Sequence, residues 1–252
     1  MKAAFRGGRG ARGASWQLLM ISLVFAGGAR AAPFAAGGSI VATTDYVYRG
    51  ITQTERKAAL QADAHLQTPS GWYLGAWGSL ATSATRVQSR SEINLYLGHV
   101  WTLSDTWSAT AHYARYIYPD DRSAPSYYYH DYNELQAAVS YEDRATLSVS
   151  YAPGITRFSR YGPGLRHGDQ VSYELSLRQP VWRNISLTAG IGHYDLSDLF
   201  HRTYWAASGG AELAVDRLTV TFTAFVVDRT ARTLFGPRSA DGHNALTVAW
   251  RF

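Results

Sequence analysis

The sequence predicts an all-β chain, a transmembrane antiparallel up-and-down β-barrel of about twelve strands behind a cleaved leader. Three observations predict it. Apolar and polar residues alternate with period two in one run after another. The connections between those runs are alternately short and long, and tryptophans recur beside the short ones.

The leader comes first. Lys2, Arg6, Arg9 and Arg12 precede the apolar run "WQLLMISLVFAGG", and Ala29 and Ala31 in "ARAAPF" stand at the spacing of a small-residue cleavage site. A basic head, a short apolar middle and such an exit make residues 1–31 a secretory signal peptide. The run is shorter than the roughly 20 apolar residues a membrane-spanning helix needs. The expectation is therefore export through the periplasm to the cell outer membrane, with residues 32–252 forming the barrel domain.

Composition agrees once the leader is set aside. The chain holds 24 Lys and Arg against 19 Asp and Glu. Residues 1–31 carry five of those cations and no acid, which leaves nineteen of each sign. The remainder is formally neutral, so its basic isoelectric point is no argument for a nucleic-acid partner. There is no cysteine, which excludes disulfides and thiolate metal sites. Aromatic residues make up 13%, while mean hydropathy is −0.20, far below that of a helical membrane protein.

The strands are expected at 38–50, 58–68, 72–82, 91–102, 107–118, 131–142, 145–153, 170–180, 185–195, 203–215, 217–228 and 243–252. Leu60, Ala62, Ala64 and Leu66 alternate with Gln61, Asp63 and His65; Ile93, Leu95 and Leu97 alternate with Glu92, Asn94 and Tyr96. Leu135 and Val139 alternate with Glu134 and Gln136, and Tyr173, Leu175 and Leu177 with Glu174, Ser176 and Arg178. Leu218, Val220 and Phe222 alternate with Thr219 and Thr221; Leu246, Val248 and Trp250 alternate with Thr247, Ala249 and Arg251. Five short turns fall near 69–71, 103–106, 142–144, 181–184 and 216–217. Six longer loops fall near 51–57, 83–90, 119–130, 154–169, 196–202 and 229–242. Both ends of the barrel domain lie on the short-turn side, as in an outer-membrane barrel.

A soluble sandwich or lipocalin-like barrel would alternate too, but with its apolar face inward. The aromatics argue against it. Trp72, Trp107 and Trp182 flank short turns, and Trp250 and Phe252 lie at the same end, which predicts one interfacial girdle. Tyr48, Tyr116, Tyr118, Tyr194, Tyr204 and the Tyr127–Tyr129 run are expected to supply the other. Phe252 resembles the terminal signal read by the barrel-assembly machinery, so that machinery and outer-membrane lipids are the expected partners.

Charge placement follows from cost. An Arg on the lipid face near the midplane costs about 2–4 kcal/mol, and an Asp somewhat less. Asp45 and Arg49, in "IVATTDYVYRGITQTE", are an even number of positions apart and would share one face of a strand. That face should be the lumen, with Tyr46 and Tyr48 turned outward. By the same parity Asp63, Glu92, Glu134, Glu174, Arg178, Glu212 and Arg251 are expected to line the lumen. The bland reading of these charges is that they pair and brace the wall.

Residues 43–79, "TTDYVYRGITQTERKAALQADAHL…GWYLGAWGS", resemble the TorF family of candidate porins. The core Asp45, Tyr46, Val47, Arg49, Gly50, Ile51, Gln53 and Thr54 carries the likeness; "EINLYLGH", "YNELQAAVSY" and the closing strands fit more loosely. His99 stands where the family pattern has an aromatic. The resemblance implies an outer-membrane barrel with a pore function and supplies no substrate or catalytic residue.

The function expected is a narrow porin or channel for passive passage of small solutes, since twelve strands lie between a filled eight-strand barrel and an open porin of 16–18 strands. One alternative is a barrel without throughput, structural or ligand-binding, for which "SYYYHDY" at 126–132 could hold a ligand. A further alternative is a lipid- or peptide-cleaving enzyme, for which His130 beside Asp131 and His193 near Asp195 are the candidates at the rim. No nucleophile motif such as G-x-S-x-G accompanies the eight histidines. "GPGLRHG", 162–168, lacks phosphate-loop spacing. No catalytic residue, cofactor or metal site is expected.

Overall fold

The computed structural model describes residues 34–81, 91–119, 131–158 and 165–252. The expected leader, the Tyr127–Tyr129 run and His130 lie outside the described residues.

Twelve strands close into one antiparallel barrel, and two more form a separate hairpin. The chain opens with barrel strand β1 (Ala35–Thr43), followed by the hairpin of β2 (Val47–Tyr48) and β3 (Ile51–Thr52). The barrel resumes with β4 (Ala59–Gln67), β5 (Trp72–Ala81), β6 (Ser91–Thr102), β7 (Trp107–Ile117) and β8 (Tyr132–Tyr141). The circuit continues with β9 (Ala145–Phe158), β10 (Leu165–Trp182), β11 (Ile185–Leu196), β12 (Arg202–Val215), β13 (Leu218–Val227) and β14 (His243–Arg251). Two short helices, α1 (Ser197–Phe200) and α2 (Arg229–Phe235), sit in long connections.

Closure joins β1 to β14, with Ile40 opposite Trp250 and Ala42 opposite Val248. Gly38 and Phe252 then exchange two backbone hydrogen bonds of 3.1 Å. This closed ladder leaves no sheet edge, the condition for a β structure to sit in hydrocarbon.

Orientation is set by the pleat. Leu60, Leu74, Leu95, Leu135, Leu147, Leu187 and Phe222 are exposed on the outer wall, with Leu80 at 61%. Thr219, Thr221, Ser172, Ser186 and Glu212, of opposite parity, are buried. A soluble protein rarely exposes such a contiguous apolar band. Trp72, Trp101, Trp107, Trp182, Trp250 and Phe252 are exposed at the short-turn end, forming the girdle expected there.

Three expectations are corrected. The first strand ends at Thr43 rather than continuing to residue 50, because the chain bends at Thr44 and Asp45 and turns into the hairpin. Tyr116, Tyr118, Tyr194 and Tyr204 are buried inside rather than girdling the outside, and Tyr48 follows them inward on the hairpin. Their parity explains this: Tyr116 shares a face with His112 and Ala114, both buried. The exposed aromatics nearer the long-loop end are Tyr113, Tyr151, Tyr173 and Trp205. Third, much of the expected 154–169 loop is strand, since β9 runs to Phe158 and β10 starts at Leu165. The ladder shifts register between Gly168 and Gln170. At that bulge Asp169 accepts from the Gly154 N–H at 2.9 Å and from the Tyr151 hydroxyl.

Inside, bulk is unevenly shared. β5 to β8 bury Tyr73, Trp77, Tyr96, His112, Tyr116 and Tyr132, while β9 to β14 bury mostly Ser, Thr and Ala toward the short-turn half. Gly98 makes the crowding possible: a Cβ there would collide with the Tyr73 hydroxyl.

Candidate functional site

The hairpin of β2 and β3 lies across the barrel interior. Tyr48 pairs with Ile51, so Arg49 and Gly50 form a two-residue turn. Their φ values are +53° and +76°, both left-handed, as a type I′ turn requires. Gly50 is needed twice, because a Cβ there would also lie 2.5 Å from the Cβ of Ala206. Arg49 tolerates the turn because its side chain is held elsewhere.

That hold is electrostatic. Arg49 Nη2 donates to Glu134 Oε2 of β8 at 2.8 Å, and both side chains are buried. The guanidinium carbon stands 4.7 Å from the Tyr48 ring centroid. Burial works against the Arg49 charge, but Glu134, Tyr48 and Glu174 outweigh it and hold the guanidinium above its ordinary pKa. The backbone carbonyl of Arg49 accepts from the Tyr204 hydroxyl of β12 at 3.2 Å. Tyr46 donates to Glu92 of β6 at 3.3 Å and lies 5.6 Å from Trp77, ring to ring. Burial pushes both Tyr46 and Tyr48 upward, so they remain neutral donors. The hairpin thus touches the wall at β5, β6, β8 and β12.

Its base is pinned at β14. Asp45 Oδ1 accepts from Thr54 at 2.9 Å and from Thr52, and Asp45 Oδ2 faces His243 Nε2 at 3.7 Å. Thr44 N–H donates to the Leu246 carbonyl at 3.0 Å, and Thr52 N–H to the Ser239 carbonyl at 3.1 Å. Burial raises the Asp45 carboxyl above its ordinary pKa, although Thr52, Thr54 and His243 pull the other way.

The other charges form two groups. At the short-turn mouth Arg178 donates to Glu212 from Nε at 3.1 Å and Nη2 at 2.9 Å, and to Asp143 from Nη1 at 2.8 Å. Arg251 is half-buried at the closing seam, opposite Ser39 in the ladder. On the crowded wall Asp63 accepts from the Tyr96 hydroxyl at 2.5 Å and lies 2.7 Å from His65 Nδ1. Glu92 accepts from Asn94 at 2.9 Å there, while on the other wall Glu174 of β10 accepts from the Tyr194 hydroxyl of β11 at 2.7 Å. The structure therefore brings Asp45, Arg49, Glu92, Glu134 and Glu174 together around the hairpin, and Arg178 with Glu212 at the other end. Arg251 lies within electrostatic reach of that second pair, and Asp63 stands apart from both groups.

Tyr46 and Tyr48 point opposite to the sequence expectation. They face the interior because they belong to the hairpin and not to a barrel strand. Its positive-φ turn is built on Arg-Gly, which lacks the usual Asn-Gly signal. Of the enzyme candidates, His193 sits between the rings of Tyr173 and Trp205, at 6.3 and 4.6 Å, on the outer aromatic band.

Beneath the hairpin, beside the small-residue wall, a cavity of about 60 Å³ is lined by side chains of β1, β4 and β10 to β14, together with Asp45, Tyr46 and Val47. Gln61, Ser176, Thr188, Ser208, Thr223 and Thr247 supply most of its polar surface.

No curated protein matches the chain. Among solved structures it is similar to the NanC porin, with TM-score 0.54, 8% identity, and coverage of 85% of this chain and 98% of that one. It is similar to the KdgM porin with TM-score 0.51 and 7% identity over 86% of this chain and 98% of that one. A KdgM porin in complex with disordered oligogalacturonate aligns with TM-score 0.50 and 6% identity, over the same shares of the two chains. These likenesses show a shared barrel fold. The family model that matches residues 27–248 covers nearly the whole described barrel, and by it the chain belongs to Gcw_chp, a family described as bacterial protein of unknown function.

Proposed function

We propose that the chain is an outer-membrane protein, exported through the periplasm after removal of residues 1–31, whose barrel is a narrow channel for passive passage of small solutes. One observation carries this reading: the inward-facing hydroxyls of Thr188, Ser208, Thr223 and Thr247 on β11 to β14 are only half-buried and line an interior cavity rather than packing against other side chains in a closed core. Polar, accessible lining of this kind is hydrated at little cost, so the interior favours a wetted path over a dry core. The porin fold of NanC and KdgM and the TorF resemblance of residues 43–79 point the same way.

The lumen-lining residues are then Asp45, Arg49, Asp63, Glu92, Glu134, Glu174, Arg178, Glu212 and Arg251. Six are acids and three are cations, which disfavours a polyanion such as the oligogalacturonate in the KdgM complex. The exposed band meets lipid, and Phe252, 5.3 Å from Trp250 ring to ring, is the residue the assembly machinery would read. We assign no catalytic role.

The inward hairpin supports a second reading, a barrel plugged for structural ends. Single-channel recording in planar bilayers separates the two. Discrete conductance steps from folded protein are expected. Their repeated absence, with folding verified by circular dichroism, would leave the plugged barrel.

A further inference from the structure

The cavity beneath the hairpin has a chemistry of its own. Its polar lining consists mainly of hydroxyls and one amide, from Gln61, Ser176, Thr188, Ser208, Thr223 and Thr247. Such groups both donate and accept, so they match a partner whose groups do the same. No arginine, lysine or histidine lines it among the described residues. An anion would therefore meet no counter-charge. Asp45 is the one carboxylate in the lining, but its Oδ1 accepts from Thr52 and Thr54, and its Oδ2, without a hydrogen-bond partner, is buried beside His243 Nε2 at 3.7 Å and closed off from the cavity. A cation in the cavity would not reach that oxygen. The buried ring of Phe225 and the methyl of Ala245 add an apolar floor against which C–H groups can pack.

Size narrows the choice further. A cavity of about 60 Å³ is roomy enough for more than one ordered water, since about 10–15 Å³ suffices for the first. A chain of three or four hydroxylated carbons could replace those waters nearly one for one, keeping each hydrogen bond.

We propose that this cavity is a subsite for a small uncharged polyol, a solute of three or four carbons with a hydroxyl on each. The inference deepens the channel reading and rests on it for the statement that the solute passes through. The small-residue wall of β10 to β14 then forms the selective side of the path, and the aromatic wall of β5 to β8 is its packed support.

The experiment is osmotic swelling of liposomes containing the full chain, with erythritol compared against lactate, propylamine and mannitol, alongside KCl conductance in planar bilayers. Thr188→Val and Ser208→Ala together remove two lining hydroxyls at nearly constant volume. Erythritol is expected to outpace the charged solutes and mannitol, and the double variant to lose about fivefold of the erythritol rate while KCl conductance stays within twofold. Rates that follow size alone, or a variant that slows every solute equally, would overturn the subsite. If no preparation conducts or swells, the channel reading falls, and calorimetry of erythritol with detergent-solubilised protein decides the subsite separately. Binding weakened by the double variant sustains it, and no binding in the wild-type chain overturns it.

Discussion

Arg49 and Glu134 are 85 positions apart in the chain and 2.8 Å apart across the barrel, where they tie the tip of the inward hairpin to β8. A buried pair of this kind contributes little over an apolar replacement, yet losing one partner costs about 3–5 kcal/mol because the other charge is stranded. Arg49→Met should therefore release the hairpin from the wall. Single-channel conductance is expected to rise at least twofold. Arg49→Met with Glu134→Leu should restore much of the wild-type value, since neither charge is then left buried alone. If the single variant conducts as the wild type does, the hairpin is not the constriction.

Much of the barrel is legible because a pleated strand has a fixed period of two, and Leu175 beside Glu174 can be sorted by cost alone. The hairpin is not. "TTDYVYRG" carries the alternation and aromatic content of a strand, and nothing local marks the bend after Thr43. What turns the chain inward is distant: Glu92 and Glu134 across the lumen, Tyr204 on β12 and His243 on β14. The inner tyrosines are half legible. Tyr96 shares parity with Glu92 and Asn94 in the sequence itself, whereas Tyr194 and Tyr204 mislead because an aromatic near a strand end suggests a girdle. Only the packed wall of β5 to β8 reveals that this lumen is filled on one side.

Asp45 makes the hairpin sensitive to pH. Burial raises its carboxyl above the ordinary value of 3.8, so the docked hairpin binds a proton more readily than the released one. His243 Nδ1 donates to the Asp241 carbonyl at 2.6 Å, and its Nε2 stands 3.7 Å from Asp45 Oδ2, too far for a hydrogen bond to relieve the buried carboxyl. Docking from this group is strongest below the ordinary value and weakens as pH rises through the raised one. Conductance should accordingly increase with pH across that window. Asp45→Asn keeps an acceptor for Thr52 and Thr54 and should remove this component. If the pH profiles of the wild type and of Asp45→Asn superimpose, Asp45 is excluded as its source.

Gly98 tests the packed wall. An added Cβ would collide with the Tyr73 hydroxyl and would meet the Ala111 carbonyl oxygen at 2.6 Å. Tyr73 Oη also lies 3.1 Å from His112 Nδ1, so displacing it disturbs a second strand. Overpacking of this kind costs about 1–3 kcal/mol. Gly98→Ala should lower the denaturant midpoint of the folded barrel, and combining it with Tyr73→Phe should recover part of that loss. Equal midpoints for wild type and Gly98→Ala would show that this wall is loosely packed.

The facing of β14 tests the membrane reading itself. Val248 is 38% exposed on the outer wall, opposite Val220 and Ala42, whereas Thr247 lines the cavity and lies 2.9 Å from the Thr43 hydroxyl. Val248→Arg would place a guanidinium against hydrocarbon, at about 2–4 kcal/mol near the midplane. Thr247→Arg would place the same group in a wetted lumen, where it costs little for folding but narrows the path. Folding into lipid vesicles, followed by heat-dependent gel mobility, should therefore fail more often for Val248→Arg and proceed normally for Thr247→Arg. Conductance should then fall in the lumenal variant alone. The two substitutions sit one residue apart and add the same side chain, so propensity and bulk nearly cancel between them. What differs is the solvent on either side of the wall. Vesicle folding that is equally tolerant of both would mean that the exposed leucines and valines of the outer wall do not face lipid.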